Sequence, residues 1–100
     1  MSEKLVTEEY LHVSKVLGFD GNGQDLALEI AKLADLLHQI VKAEKIKPKL
    51  IANFAMTIVL GYVTGRGKYE LLGDQSFIVG FIALLNDFYN FTYENHPERE

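Results

Sequence analysis

The stretch that decides the fold is Leu50–Val63, LIANFAMTIVLGYV, which carries no charge and whose strongly polar side chains are Asn53 and Thr57 alone. Wound at roughly 100° per residue, Leu50, Ile51, Phe54, Ala55, Ile58, Val59 and Tyr62 cover most of the circumference. Asn53, Thr57 and, just beyond, Thr64 fall in one narrow polar stripe. A helix this apolar is expected to be buried on most of its sides, which makes it the central element of a small all-helical domain. The run MTIVLGYV is β-branched enough for a strand. The periodicity of the polar stripe, and the lack of strand partners elsewhere, favour the helix.

On the N-terminal side of this stretch, Lys42, Lys45, Lys47 and Lys49 form a basic island, and Pro48 suits a first helical turn. Cations here neutralise the C-terminal dipole of the preceding helix. The functional alternative is a phosphate or acidic-partner site read by Lys45, Lys47 and Lys49. On the C-terminal side, Gly61–Lys68, GYVTGRGK, has the outline of a phosphate-binding loop. One residue too many precedes Gly-Lys, Tyr69 stands where Ser or Thr would hold magnesium, and no strand leads in. The P-loop reading is therefore rejected, although Arg66 and Lys68 stay as candidate phosphate contacts. Gly61 and Gly65 make a GxxxG pair that lets helices approach closely, with Gly65 as the alternative C-cap.

Further out, the pattern predicts three more helices. One covers 25–45, with Leu26, Ile30, Leu33, Leu37, Ile40 and Val41 on its apolar face and Lys32, Asp35, Gln39 and Lys42 opposite. Leu28 and Leu36 lie off that face, would be exposed in a monomer, and are candidates for a contact surface. The first helix, 7–17, has Thr7 as N-cap, Glu8 and Glu9 at the positive end of the dipole, and the stripe Val6, Tyr10, Val13, Leu17. Gly18 is its left-handed C-cap, with Phe19 as the apolar contact that follows. Between these two helices, GFDGNGQ sets Asp20, Asn22, Gly23 and Glu29 at EF-hand offsets, yet Gly18 would be the first ligand and Asp25 would fill the apolar position. A Gly/Asn turn ending in an N-cap at Asn22 or Asp25 is the better reading.

The last helix, 75–93, starts at the N-cap Asp74 and crowds Phe77, Phe81, Leu84, Leu85, Phe88 and Phe91 on one face. Asn86, Asp87 and Asn90 lie opposite, with the small Gly80 and Ala83 between. Such a stripe is core, with an aromatic-lined pocket for a flat ligand as the sharper alternative. Tyr69–Leu72 is expected to add a short helical turn, and 1–5 and 94–100 are read as frayed tails.

With 100 residues the chain forms one domain, 1–100. A net charge of −4 and a pI near 5.3 argue against nucleic acid as partner, which needs concentrated Lys and Arg. There is no cysteine, so no disulfide, thiolate nucleophile or Cys-bound zinc is available, which fits a cytoplasmic protein. No signal peptide is visible, and neither of the longest uncharged runs, Leu50–Gly65 and Gln75–Asn86, reaches the roughly 20 residues that span a bilayer.

Chemistry-bearing patterns are sparse. Glu9–His12 and Asp35–His38 both have the carboxylate-x-x-His spacing of di-iron bundles. Helical phase sets Asp35 on the polar side and both histidines at the margins, so these are read as solvated surface residues and no metal site is assigned. Ser14 and His12 diverge on one helix, Ser76 sits in a first turn, and Glu8 and Glu9 are adjacent, so no catalytic set is assigned. The expectation is an all-α, antiparallel four-helix bundle with short connections and its third helix central. Its function would be non-enzymatic and cofactor-free, through self-association (a dimer) or neutralisation of a partner protein. Interface candidates are Leu28, Leu36, Asn53, Thr57, Gly61 and Thr64. The alternative is a nucleotide or small-ligand module using Lys42–Lys49 or Arg66 and Lys68 beside aromatics.

Overall fold

The computed structural model describes residues 8–19 and 24–94. The expected Thr7 cap, the Asp20, Asn22 and Gly23 positions of the calcium test, and nearly all of the tails lie outside the described residues. The described chain contains four α-helices and no strand: α1 (Glu8–Leu17), α2 (Gln24–Glu44), α3 (Ile51–Gly65) and α4 (Gln75–Tyr89). Pro48–Leu50 forms a 3-10 turn leading into α3, and Tyr69–Gly73 forms another before α4. After Tyr89 the last turn widens to a π-helix over Asn90–Glu94.

Three helices end in the same way. After α1, Phe19 N–H donates to the Ser14 carbonyl at 2.9 Å and Gly18 N–H to Lys15 at 3.1 Å, with Gly18 at φ +86°. This paired closure satisfies carbonyls that the helix leaves free, and it is the cap expected at Gly18. After α3 the left-handed residue is Gly67 (φ 75°), with Lys68 N–H donating to Val63 and Gly67 N–H to Thr64. Gly65, the expected cap, is instead the last helical residue. After α2 the left-handed position is filled by Lys45 (φ 54°), a side chain where glycine is favoured, and Ile46 N–H closes back on Val41. At the start of α4, the Asp74 carboxylate accepts from Phe77 N–H at 3.1 Å, as a capping aspartate should.

The core joins one stripe from each helix: Tyr10, Val13 and Leu17 of α1; Leu26, Ile30, Ala34 and Leu37 of α2; Ile51, Ala55, Val59 and Val63 of α3; Phe77, Phe81, Leu85 and Tyr89 of α4. The helix that packs on all three others is α4, whereas α3 rests chiefly on α4 and more lightly on α2. The expectation of a central third helix is therefore not what the packing shows. Only every fourth residue of α3 is buried, although its sequence is the most apolar. The molecule is 18 Å across its thinnest axis, against 34 and 31 Å along the others. In so flat a molecule, a helix that rests chiefly on one neighbour keeps an open flank whatever its composition.

Candidate functional site

The open flank of α3 is the most distinctive surface of the described molecule. Two adjacent rows of residues run along it, each stepping by one helical turn. One is Asn53, Thr57, Gly61 and Gly65, all exposed; the other is Ala52, Met56, Leu60 and Thr64, exposed except for the half-buried Leu60. The Asn53/Thr57/Thr64 stripe thus faces solvent. The Thr57 hydroxyl donates to the Asn53 carbonyl at 3.2 Å, one turn back on the same helix, so its hydrogen bond is local. A Cβ placed on Gly61 or Gly65 would meet nothing within 4 Å, and neither glycine has a positive φ. Their lack of a side chain serves no contact within the described chain. Met56 is 42% exposed, and α3 carries no charge along its 15 residues, about 22 Å.

The other expected contact residues are also on the surface. Leu28 and Leu36 are 61% and 44% exposed on α2, two turns apart. Between them lie Lys32, which pairs with Glu29 at 3.7 Å, and Asp35, which accepts from the Gln39 amide at 2.8 Å. These leucines are isolated within a charged face, unlike the continuous uncharged face of α3.

The cations do not converge. Lys42, Lys45, Lys47 and Lys49 are exposed along the α2–α3 connection. Arg66 lies over the Phe19 ring at 5.4 Å and the Tyr62 ring at 5.5 Å, and its guanidinium donates to the Tyr62 hydroxyl at 3.3 Å. It ties the α1 C-terminus to α3, a structural use of the charge. Lys68 is half-buried. An open depression of about 500 Å³ lies elsewhere, along Gln75, Ser76, Val79, Gly80 and Ala83 of α4, and none of these is cationic or aromatic.

The histidines are also separated. His12 is exposed on α1. His38 is half-buried and stacks on Tyr93, with ring centres 4.0 Å apart and 13° between the planes, and Tyr89 lies at 6.3 Å. This corrects the reading of His38 as a solvated surface residue: the widened turn after α4 carries Tyr93 over its ring, and its Nδ1 is buried without a hydrogen-bond partner. Helical phase within α2 alone cannot register a neighbour contributed by the end of α4. Among the described residues, no three His, Asp or Glu side chains stand close enough to hold a metal ion.

Two phenols are partly withdrawn from water where helices meet. Burial pushes Tyr62 above its ordinary value; nearby Glu29 adds to the rise and Arg66 opposes it. Burial also raises Tyr10, opposed by a hydrogen bond with the backbone of Ala27. Both are fastenings between helices.

No helix among the described residues is long and apolar enough to cross a membrane. No known family model, curated protein or solved structure matches the chain.

Proposed function

We propose that this protein acts through contact with other protein surfaces, by self-association or by covering a partner, and carries no catalytic centre of its own. The observation that supports this reading is the uncharged open flank of α3. Among the described residues the exposed faces of α1 and α2 carry charges such as Lys15, Lys32, Asp35 and Lys42, and interface centres are distinguished by depletion of charge. Leu28 and Leu36 on α2 add a second, smaller apolar feature. The dispersed cations and the non-aromatic lining of the α4 depression give the nucleotide-module alternative no comparable support.

The test is affinity capture from the source cell with three immobilised baits: wild type, Met56→Lys, and Leu28→Lys with Leu36→Lys. Sedimentation equilibrium of each is run in parallel. All three positions are exposed, so the substitutions leave the core intact. The reading stands when a stoichiometric protein, or the chain itself, associates with wild type and is lost on one surface variant. It fails when all baits retain the same material and every chain sediments as a monomer.

A further inference from the structure

We draw no further inference here: the strongest candidate, the uncharged open flank of α3 along Met56, Gly61 and Gly65, belongs to the surface already described, and nothing in the structure shows what covers it.

Discussion

At the scale of single residues, the helix ends show where this sequence departs from the local optimum. Gly18 and Gly67 occupy left-handed positions that suit glycine, while Lys45 occupies the equivalent position after α2. A left-handed backbone costs a residue with a Cβ about 1–2 kcal/mol, and glycine recovers most of this while losing some unfolded-state advantage. Lys45→Gly should therefore stabilise the fold by about 1 kcal/mol, a rise of about 5 °C in melting temperature for a chain of this size. Gly67→Ala should lower it by a similar amount. Calorimetry of the two variants checks the pair, and a Lys45→Gly variant that melts below wild type would refute the assignment. The loss of one exposed cation is a small term beside backbone strain, since isolated surface charges contribute little.

At the scale of elements, composition and position disagree, and the disagreement separates what the sequence reveals from what it conceals. Helix boundaries were legible to within a few residues because Gly18, Pro48 and Asp74 act on their neighbours in the chain. The inward stripes of α1 and α2 were legible because polar residues mark the opposite faces. In α3 no charge marks the outside, so its open flank could not be told from its buried one, and the helix was expected at the centre. In α4 the phase drifted toward the end: Tyr89 is buried to 1% exposure while Phe91, assigned to the core, is 65% exposed. The π-helix at Asn90–Glu94 takes more residues per turn than an α-helix, so a fixed 3.6-residue period misplaces Phe91. The centrality of α4 makes a contrast measurable. Phe81 is fully buried beneath Tyr62 and Phe77, with ring centres at 5.6 and 5.8 Å, so Phe81→Ala should cost about 3–5 kcal/mol. Phe91→Ala should cost less than about 1 kcal/mol, as surface changes do. Urea unfolding of both checks this, and equal losses would mean that the aromatic stripe is buried along its whole length.

At the scale of the whole molecule, a plate 18 Å thick relies on sparse fastenings between helices, and two of them are phenols that must stay neutral. Tyr10 of α1 meets the backbone of Ala27 in α2, and Tyr62 of α3 sits beside Glu29 of α2 and Arg66. Both attach a helix to the N-terminal half of α2. Burial raises each above the ordinary phenol value of 10.0, so the native state holds these protons after the unfolded chain has begun to lose them. With more protons bound in the native state, stability must fall as pH rises. The contribution is complete below pH 10.0 and disappears as pH climbs through the raised native values. Wild type should therefore melt at a steady temperature through neutral and mildly alkaline pH and then decline steeply above about pH 10. In the double variant Tyr10→Phe with Tyr62→Phe the starting temperature is expected to be lower, because a hydrogen bond is lost at each site. Its alkaline decline should nevertheless be shallower, since the two phenols that burial raises are gone. Melting curves across that pH range separate the two effects. Parallel declines in the two proteins would show that these buried phenols do not govern alkaline unfolding, and that the decline comes from general charge repulsion across an already acidic chain.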